Sequence, residues 1–194
     1  MKLRHSLLSL SLCLTLLSAC GKSQQPSLAE RLKNPLFAER YAEAVVDRLT
    51  ELEIQKDPLI EDETNVRIIQ EERDVWQGVA REARRLQYEG KRGGFVMVSE
   101  FARGETLLLG NTLYMSTLFE TEPGPDLHLY LTTVIDPRDV TFPDETSVDV
   151  GTLDSPYGAQ EYVVPSGTDT ESMRSVVLFE TKLKRIHGFA QLSK

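Results

Sequence analysis

The feature that most constrains this chain is a change of hydrophobic period at Gly93. Before it, apolar residues recur every three or four positions, the spacing that gives a helix one buried stripe. After it, the spacing disappears. Short β-type runs follow one another, separated by Gly, Pro, Asn and Asp. A chain with this texture folds as helices followed by a β domain, an α+β arrangement.

The helical half carries its own punctuation. Ser27-Leu28-Ala29-Glu30 reads as a capping box, in which hydroxyl and carboxylate satisfy free amides at a helix start. Asn34-Pro35 restarts the helix, with Asn as cap and Pro in the first turn. Phe37, Tyr41, Val45, Leu49 and Leu52 then form one stripe, and Asp57-Pro58 breaks it. A second helix is expected over about 64–88, with Ile69, Trp76, Ala80 and Ala83 as its seam and Gly90 as terminator. Together they predict a helical hairpin. Charges of alternating sign surround the stripes, as on solvated faces laced by i,i+4 pairs. The plain use of such a hairpin is to pack on the C-terminal domain and raise it from its anchorage. The functional use is docking of a protein partner, with Trp76 as anchor.

In the β half, strands are expected near 94–98, 106–109, 112–118, 127–133, 148–153, 161–164, 175–181 and 186–190. Gly110-Asn111 supplies a two-residue hairpin turn. Roughly eight short strands in ~100 residues imply an antiparallel sandwich or barrel. Leu127, Leu129 and Leu131 alternate with His128, Tyr130 and Thr132, so one face of that strand is core and the other more polar.

The first residues form a segment of another kind. Met1-Lys2-Leu3-Arg4-His5 is basic, and an uncharged run rich in Leu and Ser follows to Leu17. Leu17-Ser18-Ala19-Cys20 then resembles the bacterial lipobox, where the Cys thiol receives a diacylglyceryl group and becomes the new N-terminus. The expected organisation is a signal peptide over 1–19, a lipidated tether over 20–26 with palmitate-type acyl chains on Cys20, a helical segment over 27–92 and a β domain over 93–194. The run is too short for the ~20 residues that span a bilayer, but two or three acyl chains anchor durably. The expected location is the cell envelope, held by lipid. Gly21, rather than Asp, implies the outer membrane where the bacterium has two. Cys13 leaves with the signal and lipid occupies Cys20, so no thiol and no disulfide survive maturation.

Charge narrows the partners. From Gly93 onward there are 7 basic and 15 acidic side chains, against 13 and 15 between Cys20 and Arg92. An acidic outer domain argues against nucleic acid.

An ordered series of local motifs runs through the β half: Gly94-Phe95, Gly104, Gly124-Pro125-Asp126-Leu127, Val150-Gly151-Thr152-Leu153, Gly158-Ala159-Gln160-Glu161-Tyr162, Ser175-Val176-Val177-Leu178-Phe179 and Gly188-Phe189-Ala190. The succession resembles the DM-thirteen domain, known as an electron-transfer domain, over nearly all of 93–194 and none of the helical part. The resemblance implies a redox Cys after the aromatic residue of the Ser-Val-Val strand. Here that pair is Phe179-Glu180. A carboxylate has no redox couple at biological potentials, so electron transfer would need a bound cofactor or a partner.

The residues also have plainer readings. Gly151 and Gly188 mark a bulge or close backbone approach; Tyr162 and Phe179 are core; Glu180 is a solvent-facing strand residue. Asp126, His128 and Tyr130 are the candidate polar-face binding patch. Haem ligands come from His or Met, and His128, His187, Met97, Met115 and Met173 are the candidates. None sits in a binding motif, and the resemblance implies an aromatic residue where His187 stands, so His187 reads as a substitution. Asp136, Asp139, Asp144, Glu145, Asp149 and Asp154 crowd one long loop without calcium-loop spacing. No cofactor is therefore expected from motif, with haem and calcium left open. No nucleophile elbow, phosphate loop or zinc-hydrolase motif occurs, so no enzyme activity is read. Two functions stand: a binding module in the cell envelope, and an accessory to membrane electron transfer.

Overall fold

The computed structural model describes residues 26–194. The expected signal peptide and the lipid-bearing Cys20 lie outside the described residues. Three helices come first: α1 (Leu28–Arg31), α2 (Pro35–Ile54) and α3 (Glu63–Glu89). Ser27 caps α1 in a complete capping box with Glu30, and Asn34 caps α2 ahead of Pro35. α2 and α3 form the expected hairpin. Tyr41 packs on Trp76 with ring centroids 5.3 Å apart, and Ile69, Ala80 and Ala83 are buried on the α3 seam. Gln87 extends that seam, donating from Nε2 to the Pro35 carbonyl at 3.0 Å and to Glu39 at 2.7 Å. None of the helices among the described residues is long and apolar enough to cross a membrane.

The β half holds β1 (Lys91–Met97), β2 (Ala102–Arg103), β3 (Glu105–Leu109), β4 (Thr112–Met115), β5 (Glu120–Thr121), β6 (Leu127–Thr132), β7 (Val148–Thr152), β8 (Gln160–Val163), β9 (Ser175–Glu180) and β10 (Arg185–Gln191). Eight of them form one antiparallel sheet in the order β7-β6-β9-β10-β1-β3-β4-β8, and β2 pairs with β5 beside it. The large sheet curls until its edge strands approach, a nearly closed barrel rather than two stacked layers. Gly110, at φ +56°, makes the turn between β3 and β4 that only a residue tolerant of left-handed backbone fits easily. The short β2 and β5 escape sequence detection because two residues carry no period.

The barrel interior is apolar, built around Leu108, Leu113, Met115, Leu129, Leu131, Val176 and Leu178. A second cluster lies on the outer face of β9 and β10. Val177, Phe179 and Phe189 pack there against Tyr130, Phe142 and Ile186. Phe142 comes from the long β6–β7 loop and meets Phe179 and Tyr130 edge-on at 5.2 and 5.6 Å. That loop covers β9 from outside while the core covers it from inside, so every residue of the strand is buried. Glu180 is accordingly fully buried, not solvent-facing as its strand position alone implies.

Asn34 joins the two halves. It is buried, its Oδ1 accepts from Leu36 and Phe37, and its Nδ2 donates to the Met115 carbonyl at 2.9 Å. The helical hairpin is thus fastened to the barrel at its base.

Candidate functional site

The expected patch on β6 does assemble. Asp126, His128 and Tyr130 alternate outward, and β7 adds Asp149 and Thr152. His128 Nδ1 lies 2.9 Å from Asp149 Oδ2, and Nε2 lies 3.2 Å from Thr152 Oγ1 and 3.6 Å from Asp126 Oδ1. Thr181 donates to the Asp126 carboxylate, and this bond chiefly holds that acid below its ordinary range. Burial is the main cause that pushes the Tyr130 hydroxyl upward, helped by the charge of Asp149. Both nitrogens of His128 therefore have protein partners, which makes the patch a self-satisfied network.

The acidic loop is similarly committed to its own structure. Asp136 binds Arg138 at 2.5 Å. Asp144 accepts from Thr132 and Thr146 and also meets Ser147. Burial raises Asp144, but these hydrogen bonds outweigh it and leave the acid at about 2. Among the described residues no group of three or more His, Cys, Asp or Glu is placed to hold a metal ion.

A different place has chemistry to spare. At one end of the barrel, a cleft of about 450 Å³ lies between the end of β1, the 122–125 turn and the β9–β10 hairpin. Met97, Phe101 and Leu183 line it with exposed apolar surface, and Glu100 and Glu122 contribute carboxylates. His187 lines it too, though only 3% of the residue is exposed, and its Nδ1 has no hydrogen-bond partner. A buried polar atom without a partner is uncommon in a native fold and asks for an explanation. Burial lowers the pKa of His187, partly opposed by the charges of Glu100 and Glu180 and by the Glu122 carbonyl. The ring is therefore biased toward its neutral form, which presents one donor and one acceptor nitrogen.

Local sequence explains how His187 reaches the cleft. The pairing of β10 with β9 shifts register between Ile186 and Gly188, so His187 is the extra residue of a bulge. Gly188 must be Gly, since a Cβ would stand 2.7 Å from the Ala102 Cβ and 2.8 Å from the Val96 carbonyl oxygen. On the other side, Met97 pairs with Gly188 and the Val98 N–H donates to the His187 carbonyl at 2.9 Å. A bulge re-aims a side chain that strict alternation would send elsewhere.

Glu180 lies behind the same turn. Its Oε2 accepts from the Asp126 N–H at 2.9 Å and its Oε1 from the Lys182 N–H at 3.1 Å. The turn allows this approach because position 124 is Gly: a Cβ there would collide with Glu180 Oε2 and lie 2.9 Å from the Leu127 side chain. Asp126 thus belongs to both regions, through its carboxylate to the His128 network and through its amide to Glu180. Of the other candidates, Met115 and Met173 are sealed in the core. His187 and Met97 are the pair that the fold brings to one cleft. In the sequence His187 reads as a substitution, and the one local signal that raises it is the His-Gly pair in a β context.

Comparison with curated proteins and with solved structures finds no match. A family model does match, that of the electron transfer DM13 domain, over residues 94–192. The match spans the barrel, the cleft, His128 and His187, and it takes in just over half of the 194 residues. The chain belongs to the electron transfer DM13 family.

Proposed function

We propose that this protein is a lipid-anchored envelope module whose barrel binds its ligand in the cleft beside His187. The observation that carries the reading is the unpartnered Nδ1 of a buried histidine lining an open cleft. The cleft volume lies in the range of ordinary small-molecule sites, ~300–1,000 Å³, which combine apolar walls with a few polar groups. The reading moves the binding site from the Asp126–His128–Tyr130 patch, whose hydrogen bonds are already made. The lipobox-like Leu17-Ser18-Ala19-Cys20 supports the anchor and an envelope location, and the acidic barrel disfavours nucleic acid.

Native mass spectrometry of the protein purified from the cell envelope tests the cleft. An added mass on wild type that is lost in His187→Asn is expected; wild type and variant free of any added mass would remove the reading. Labelled palmitate should enter wild type and not Cys20→Ser, and equal labelling would remove the anchor.

The second reading, an accessory to electron transfer, is favoured by the family match and by the presence of Met97 and His187 in one cleft. The resemblance-implied thiol position is occupied by Glu180, so on this reading the electron is carried by a bound group. A redox titration that changes an optical spectrum would place this reading first, and a redox-silent protein would leave the binding module.

A further inference from the structure

We infer that the outer face of α3 is a dimer interface, on which a second copy of this chain packs its own α3 antiparallel about a two-fold axis at Gly78. The face lies on the hairpin, apart from the cleft. α3 carries two apolar seams. One, through Ile69, Trp76, Ala80 and Ala83, is turned to α2. The other runs through Ile68, Val75, Val79 and Leu86, at intervals of seven, four and seven residues that keep side chains on one face of a helix. Ile68 is 48% and Val75 59% exposed, and Val79 and Leu86 are half-buried. Val75, Val79 and Leu86, together with Leu32, Pro35 and Ala38, line an apolar groove of about 430 Å³. Glu82, the carboxylate in that lining, is held by Arg85 of its own chain at 2.7 Å.

Gly78 stands in the middle of this face and has no use inside one copy. Glycine is among the poorest helix formers, yet a Cβ at Gly78 would meet nothing nearer than the tip of Arg81, at 3.9 Å. A crossing helix supplies the use, since bare backbone lets two helices approach closely. Charge then selects the occupant. Arg67 pairs with Glu71, and Arg85 with Glu89, each four residues along α3. Arg67 and Glu89 lie eleven residues either side of Gly78, and Glu71 and Arg85 lie seven either side. A two-fold axis at Gly78 therefore sets Arg67 against Glu89 of the second copy and Glu71 against Arg85 of the second copy. Each set of four closes into a ring of alternating charge. The apolar seam matches in nearly the same register, with Val75 meeting Val79, and Ile68 meeting Leu86, of the second copy. The face is thus complementary to itself, which is the condition for a closed, isologous dimer. A foreign helix need not carry that symmetry; a second copy always does.

The test is native mass spectrometry of the full-length protein, purified from the cell envelope in detergent, over a dilution series. Wild type is expected as a dimer. Glu71 and Arg85 are exposed, so Glu71→Arg and Arg85→Glu keep the fold while placing like charges across the axis. Each should weaken dimerisation by about tenfold or more. Mixed together, the two variants differ in mass and carry complementary charge at both ends of the interface, so their heterodimer should exceed either homodimer. Gly78→Leu should also dissociate the dimer while circular dichroism shows full helix content, because leucine is the better helix former and finds open space within one copy. A wild type that stays monomeric to its highest soluble concentration would overturn the inference. Single charge reversals that dimerise as tightly as wild type would do the same. A different polypeptide that co-purifies with wild type in place of a second copy, and is lost from Glu71→Arg, would overturn it too and give the face to another protein.

Discussion

His128 and His187 sit about one strand apart in the same sheet, one on β6 and one on the β10 bulge beyond β9, yet their surroundings are opposites. His128 is partly exposed and has a protein partner at each nitrogen. His187 is buried and has one nitrogen with none. The exposed histidine draws attention in a sequence because it alternates cleanly beside Asp126 and Tyr130. The buried one hides because a bulge breaks the alternation. The difference teaches that an unsatisfied polar atom is recognised by what fails to bond to it, a property of the tertiary structure.

The largest expected effects lie where the two regions meet, at the Asp126 amide. Glu180→Ala empties a buried side-chain volume and strips two N–H groups of their acceptor, so it should cost about 2–4 kcal/mol in denaturant unfolding. Gly124→Val should cost a comparable amount, about 2–4 kcal/mol, by driving a branched side chain into the same carboxylate. A loss below about 1 kcal/mol for both would mean that the turn relaxes freely and that Glu180 is not held as described.

Acid titration separates the regions next. The folded state holds His187 below its ordinary 6.5, so the unfolded chain binds the extra proton as pH falls through that value. Stability should therefore decline on acidification from about pH 7, until the lower folded value is passed. His187→Phe should remove that decline and leave neutral-pH stability equal or higher, since an unpaired polar atom disappears. Asp144 acts in a separate window. Its contribution is intact above 3.8 and is lost as pH falls toward about 2, so it should persist in His187→Phe. A variant with an unaltered slope between pH 7 and 5 would show that the buried ring is not the titrating group.

The smallest effect is expected in the patch. Asp149→Asn keeps a hydrogen-bonding side chain beside a partly exposed His128, and should shift stability by less than about 1 kcal/mol. A loss as large as that of Glu180→Ala would make the patch, not the buried carboxylate, the keystone of this end of the barrel.

Most of the architecture was legible in local pattern. All eight expected strands are present within a few residues, because each carries period-two alternation or a turn residue at its border. The helix starts at Ser27 and Asn34 were legible because capping is a short-range effect. Glu180 was misread because its burial depends on the 124–126 turn, more than fifty residues earlier, which leaves no mark on the Ser175–Glu180 pattern. Sandwich and barrel were indistinguishable for a related reason, since closure depends on whether β7 and β8 approach each other across the whole domain. Asp126, His128 and Tyr130 do share one face of β6, but the mutual saturation of that face was not visible in the alternation that exposed it.

The fastening of Asn34 to the Met115 carbonyl has a consequence for how such a molecule would stand on a membrane. From Cys20 to Pro26 inclusive there are seven residues, which reach at most ~24 Å when extended. If the lipid is on Cys20, the barrel is on a short leash, because the chain arrives at the barrel before it enters the long helices. The hairpin is then an outrigger instead of a pedestal. Its α3 arm, 27 residues long, extends ~40 Å from the barrel, and its far end, not the cleft, sweeps the widest arc through the surrounding space.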